Sequence, residues 1–297
     1  MANESLDKVQ ALLSDLLDAA KKGAIIPVRL PKEIEQIIEA VEAAKKEAAA
    51  PSSSGSSETF NKEEFLKEQA YFFGHAIHEL RTPMTSVRGY SDMLSNAAMG
   101  PLTDMQKQFV ETIRSNSRRM ESLMQDVADM NKLRAGTLKV TEKMDMFKNI
   151  ALMAEKAVQP LAEQQGVTLT FEVEAGLPIL NTDGELLAKA LTKLLENAIR
   201  YQKPDADEKV VTLKAHGEGK NLIIEISDKG IGIAPEDQAQ LGKIYFRSEN
   251  ELVRTFKGSG LGIPVAYGII RLLGGTVELK STLGEGTTVT VTMVGMS

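Results

Sequence analysis

The sequence predicts an α+β chain of two unlike parts: an antiparallel helical hairpin, dimeric and completing a four-helix bundle with a second copy, and then an α/β sandwich. Three observations point there. Two stretches, Phe73 to Leu94 and Phe109 to Met130, carry apolar residues in an alternating four-three rhythm, the seam of helices packed side by side. Ala98-Met99-Gly100-Pro101-Leu102 separates them with the composition of a turn. After Leu133 the pattern changes. Segments 167–174, 209–216, 221–227, 275–281 and 287–294 alternate apolar and polar like strands, while 150–165, 184–201 and 262–273 read as helices. Mixed elements of this kind suggest a mostly antiparallel sheet with helices on one face.

Composition narrows the function classes. The chain has 297 residues, 42% of them hydrophobic, enough for two or three cores. A formal net charge of −6 argues against nucleic acid as the main partner. With no cysteine, disulfides, thiolate metal sites and thiol chemistry are excluded. The sequence has no apolar run of the roughly 18 residues that a transmembrane segment needs, and no signal-peptide pattern opens it. The expectation is a cytoplasmic protein.

Residues 1–58 are expected to form a separate N-terminal part. Leu6, Val9, Leu12, Leu13, Leu16 and Leu17 fall at helical spacing, as do Ile34, Ile37, Ile38 and Val41. A serine-rich linker, Pro51-Ser52-Ser53-Ser54-Gly55-Ser56-Ser57, follows. An input or partner role for this part is left open.

The hairpin is assigned to 59–142. Asn61 with Glu64 can cap its first helix. Phe73, Ile77, Leu80, Met84, Val87 and Leu94 form the first seam, with Ser91 in its polar slot. His78 lies one residue off that seam, and Arg81 and Thr82 follow it on the same face. Pro83 can donate no backbone hydrogen bond and crowds the carbonyl of Glu79; a helix-interior proline costs roughly 3 kcal/mol. Thr103 with Gln106 makes a capping box for the second helix. Its seam runs Phe109, Ile113, Asn116, Met120, Leu123, Val127 and Met130. A lone hairpin buries little, so a homodimer is expected.

Residues 143–297 carry three clusters with chemistry. In Leu191 to Tyr201 the apolar positions bury one helix face and leave Asn197 and Arg200 on another. An amide oxygen suits Mg2+, and a nearby cation suits a triphosphate. Asp228-Lys229-Gly230-Ile231-Gly232 ends a strand. Its glycines let backbone approach a ligand, and a buried aspartate can accept from an adenine amino group. Lys257-Gly258-Ser259-Gly260-Leu261-Gly262 leads into a helix whose amides favour phosphates. It lacks the GK[ST] ending of a P-loop and follows a loop rather than the strand a Rossmann turn needs. The polar stretch 234–257 between the last two clusters reads as a lid.

His78-Glu79-Leu80-Arg81-Thr82-Pro83 resembles the phosphoacceptor motif of sensor histidine kinases, and the three later clusters resemble the N, G1 and G2 boxes of the GHKL ATPase superfamily, with Leu241 to Arg247 in the place of the F box. The resemblance covers about residues 60–294. It implies that 143–297 is a GHKL-type catalytic domain binding ATP and Mg2+, and that His78 takes the γ-phosphoryl group and passes it to an aspartate on the receiver domain of a separate response regulator. It implies that Glu79 handles the imidazole proton, and that Thr82 stands at the position linked to dephosphorylating the regulator. By it, Asn197 holds Mg2+, Arg200 takes the place of a phosphate-contacting lysine, Tyr201 lies beside the nucleotide and Asp228 binds adenine. Gly230, Gly232, Gly258, Gly260, Leu261 and Gly262, with Lys257, shape the pocket and lid.

Three positions depart from the family pattern. Lys193 replaces the first asparagine of the N box, Ile77 a serine before the histidine, and Gly242 the first phenylalanine of the F box. They keep open a second reading, a weakly active or inactive kinase serving as a response-regulator phosphatase or scaffold. A third, an ATPase of the chaperone or topoisomerase kind, has no need of the His78 hairpin.

Overall fold

A computed structural model describes residues 62–96, 100–256 and 258–295. The expectations for residues 1–58, for Asn61 as a cap, for Ala98-Met99 in the turn and for Lys257 lie outside these residues.

Helix α1 (Lys62–Ser95) runs unbroken through Pro83. Helix α2 (Asp104–Arg134) starts at the expected capping box: the Gln106 amide donates to Thr103 Oγ1 at 3.3 Å, and the Thr103 amide donates to Gln106 Oε1 at 2.9 Å. Two ion pairs cross the hairpin, Arg88–Glu121 at 2.8 Å and Arg114–Asp92 at 2.7 Å, and hold its register.

The seam of α1 splits into two rows seven residues apart. Ile77, Met84 and Ser91 are buried, whereas Phe73, Leu80, Val87 and Leu94 are exposed. On α2 the buried row is Val110 and Ser117, while the seam residues Phe109, Ile113, Met120 and Leu123 are exposed. The four-three rhythm therefore marks mostly a face left uncovered by the hairpin itself. One helix of a bundle has two neighbours, and its apolar stripe serves both. Ile77 lies in the inner row, so at this departure from the family pattern the side chain serves packing.

The second part follows in the order β1 (Lys143–Asp145), α3 (Phe147–Gln165), β2 (Thr168–Val173), β3 (Leu180–Thr182), α4 (Gly184–Arg200), β4 (Val210–Glu218), β5 (Asn221–Asp228), α5 (Pro235–Gln238), α6 (Glu251–Thr255), α7 (Gly262–Leu272), β6 (Thr276–Thr282) and β7 (Gly286–Val294). The main sheet has the order β2-β4-β5-β7-β6, with β2 and β4 parallel and the other neighbours antiparallel. Period-2 alternation turns one residue in two toward the helices. Leu213, Ile226, Val289 and Leu279 stand abreast on four strands. They meet Ile150 and Val158 of α3, Leu187, Leu191 and Leu195 of α4, and Val265 and Ile269 of α7 in one core. The short pair β1 and β3 escaped the sequence reading, because three residues are too few to show alternation.

Among the described residues no helix is long and apolar enough to cross a membrane.

Candidate active site

Helix α4 presents the first cluster. Asp183 caps it by accepting from the Leu186 amide at 3.0 Å. Its apolar face, from Leu187 to Ile199, is held in the core. That fixes Asn197, Arg200 and Tyr201 on the opposite, half-buried side. The side-chain amide of Asn197 makes no hydrogen bond among the described residues, so its oxygen is available to a ligand. The Arg200 guanidinium stands 3.5 Å from Glu196. The Tyr201 ring packs edge-on against Phe256 of the lid, centroids 5.3 Å apart.

Asp228 ends β5 at the mouth of the sheet. Its Oδ1 accepts from the Gly230 amide at 2.7 Å. Burial pushes its carboxyl up to about 6, against backbone amides of Gly230 and Thr287 that pull it down. The loop beyond it is bound to α4, because the Ile231 amide donates to the Tyr201 carbonyl at 2.9 Å. Glycine is required at two points here. A Cβ on Gly230 would enter the Tyr201 carbonyl, and one on Gly232, at φ 66°, the Thr282 carbonyl. The chain thus passes too close to its neighbours for any side chain.

The third cluster closes the site. Leu261 is fully buried and anchors the start of α7. The Ser259 hydroxyl accepts from the Leu261 amide at 3.3 Å. A Cβ on Gly262 would meet Asn197 Nδ2 at 3.8 Å, which places the first turn of α7 against the Asn197 amide. The lid is tied to itself by Arg247, whose Nη2 donates to the Phe256 carbonyl at 2.6 Å and the Val253 carbonyl at 3.1 Å. The lid contains the short helices α5 and α6, too brief for periodicity to have revealed them.

These parts surround a cavity of about 1130 Å³, slightly above the roughly 300–1,000 Å³ usual for ligand sites. Asn197, Arg200, Tyr201, Asp228, Gly232, Gly258, Gly260 and Gly262 all line it, whereas Gly230 and Leu261 do not. Its chemistry fits a nucleoside triphosphate: an aspartate and apolar Ile226, Ile231 and Ile233 at one side, an arginine and a helix N-terminus at another. The side-chain oxygen of Asn197 is a hard donor of the kind that suits Mg2+, which is commonly held by few protein atoms together with substrate phosphates.

His78, Glu79 and Thr82 are not in this cavity. His78 stands on α1 with its side chain 76% exposed. Glu79 Oε1 lies 3.8 Å from its Nδ1. The wall that the sequence reading missed comes from α2, which contributes Ser115, Arg118, Arg119, Ser122 and Asp126. Nothing in the local pattern of α2 marks those residues.

Two family models match the chain. Residues 68–136 match the His Kinase A (phospho-acceptor) domain. Residues 182–294 match the histidine kinase-, DNA gyrase B- and HSP90-like ATPase. Fold and site together define a phosphoacceptor hairpin joined to a GHKL-type ATPase domain. The non-motile and phage-resistance protein of Caulobacter vibrioides is 30% identical over 268 residues, covering 89% of this chain and 32% of that one. The circadian input-output histidine kinase CikA of Synechococcus elongatus is 30% identical over 222 residues, covering 74% and 29%. Full-length ShkA, solved in complex with AMPPNP, shares the fold with a TM-score of 0.61 at 23% identity, over 76% of this chain and 46% of that one. The chain belongs to the sensor histidine kinases. It spans about a third of the length of the first curated relatives it matches.

Proposed function

We propose that the chain is an ATP-dependent protein histidine kinase that autophosphorylates His78 and hands the phosphoryl group to an aspartate of a response regulator receiver domain, working as a homodimer in the cytoplasm. In this reading 59–142 is the dimerisation and phosphotransfer hairpin and 143–297 the catalytic domain. The observation that carries it is the exposed His78, with the Glu79 carboxylate 3.8 Å from its Nδ1, on a chain that also holds the triphosphate-sized cavity.

Asp228 accepts from the adenine amino group, and Tyr201 flanks the base. Arg200 and the amides around Gly258, Gly260 and Gly262 hold the phosphates, with Leu261 as the anchor of that loop; Lys257 is assigned to the same role. Asn197 would hold Mg2+ through its side-chain oxygen, and the ion would supply neutralisation of phosphate charge. The His78 Nε2 lone pair attacks the γ-phosphorus in line, and the bond to the β,γ-bridging oxygen breaks as ADP leaves. Glu79 holds the proton on Nδ1 and offsets the positive charge of the ring. Thr82, one turn on, would orient water for hydrolysis of the regulator's aspartyl phosphate, releasing inorganic phosphate.

The experiment is incubation with Mg2+ and γ-labelled ATP. Acid-labile, base-stable label, lost in His78→Gln, is expected. Retained ATP binding without label in the parent chain would replace this reading by the phosphatase or scaffold one.

A further inference from the structure

Lys193 occupies the N-box position where this chain departs from the family pattern, and the structure gives it a partner. Its Nζ reaches across to α2 and lies 2.8 Å from Asp126 Oδ1, with the side chains 11% and 8% exposed. Ser122 Oγ stands 3.5 Å from the same nitrogen. One turn earlier on α4, Lys189 pairs with the buried Asp129. The two lysines are four apart and the two aspartates three apart, so each pair of like residues shares a helix face.

The second pair leads back toward the phosphoacceptor. Gln125 Nε2 donates to Asp129 Oδ1 at 3.0 Å. Gln125 Oε1 accepts from Arg81 Nη2 at 3.3 Å, and Arg81 is on the His78 face of α1. Below the pairs the contact is apolar: Val127, Met130 and Leu133 pack into the core of the ATPase domain. With α2 held there, the nucleotide cavity is walled by α2 residues and by no residue of α1. A buried pair stripped of one partner leaves an unpaired charge out of water, so the contact favours two states, closed and paired or open and hydrated.

Resting on the kinase reading above, we infer that Lys193–Asp126 and Lys189–Asp129 form a latch that positions the nucleotide cavity against α2, away from the same chain's His78, and that transfer to that histidine requires the latch to open. The four side chains are positioning residues.

The test uses the full chain. Asp126→Asn with Asp129→Asn removes both acids and leaves the N box intact. The initial rate of phosphohistidine formation at saturating ATP is expected to rise about tenfold, as when a state populated at roughly one part in ten becomes dominant. Asp129→Lys alone should act likewise, and adding Lys189→Asp should return the rate to that of the parent by rebuilding the pair in reverse, an outcome a merely damaged fold cannot give. Because the chain has no cysteine, spin labels on Gln108→Cys and Glu278→Cys, diluted into excess unlabelled chain, report the spacing of α2 and the sheet. That spacing should lengthen in the double variant and recover in the reversed pair. A lower or unchanged rate with longer spacing would overturn the inference and make the contact a productive dock; unchanged spacing would overturn the latch itself. If no chain forms phosphohistidine the kinase reading fails, while the spacing still decides whether the latch exists.

Discussion

The two parts of the molecule satisfy their apolar residues differently. In the ATPase domain Ile150, Leu187, Leu191, Leu195, Leu213, Ile224, Val265 and Ile269 are all fully buried within one chain. In the hairpin Phe73, Leu80, Val87, Leu94, Phe109, Ile113, Met120 and Leu123 are 38% to 61% exposed, although they sit on a regular seam. Fully buried large side chains contribute roughly 1.5–3 kcal/mol each, so the domain has what it needs while the hairpin retains an unused face. An exposed apolar face of this extent marks an interaction surface. In the proposed dimer a second hairpin would supply the complementary row.

The largest effect should come from charging that face. Leu80→Glu with Leu123→Glu introduces four carboxylates into each dimer, and the dimer should weaken by about 4 kcal/mol, close to a thousandfold in Kd. Sedimentation should show monomers, and nucleotide affinity should stay within about twofold. Loss of nucleotide binding as well would break the comparison, by showing that the domain depends on the dimer.

The converse is Gly232→Ala. A Cβ there collides with the Thr282 carbonyl at a positive φ, so the loop cannot keep its path. We expect a loss of about 3 kcal/mol in unfolding of the domain and no detectable nucleotide binding, with the dimer retained by sedimentation.

The smallest effect concerns pH. The Asp228 carboxyl is raised from 3.8 to about 6. Between those values the folded chain binds more proton than the unfolded chain, so the contribution to stability is full below pH 3.8 and is lost as pH rises through 6. Urea unfolding of the nucleotide-free protein should therefore lose about 1 kcal/mol from this group between about pH 5 and 7.5, and Asp228→Asn should lack that slope. ATP binding should run the other way and weaken as pH falls through 6, because the ionised carboxylate is the better acceptor for the adenine amino group.

Most elements were legible. Helices read at 184–201 and 262–273 end within one residue of α4 and α7, since long amphipathic patterns with caps leave little choice. The strand segments match β2, β4, β5, β6 and β7, because alternation survives wherever one face is buried. The cluster residues that line the cavity were legible because each local motif demands a residue type: glycine where backbone passes, an acid at a strand end, an amide on a polar helix face. The wall from α2 was not, because arginines and serines on a helix look the same facing solvent or facing a cavity.

By itself the sequence determined the local geometry: where helices start, which positions are apolar, where only glycine fits and where an exposed histidine stands. Those follow from interactions a few residues long. Tertiary structure alone decided which row of the seam lies inside the hairpin, that β2 joins the sheet parallel to β4, and that Lys193 meets Asp126 and Ser122, the last of them 71 positions away. Such choices compare packed arrangements of whole elements, and the burial of a charge beside its partner is favourable in only one of them.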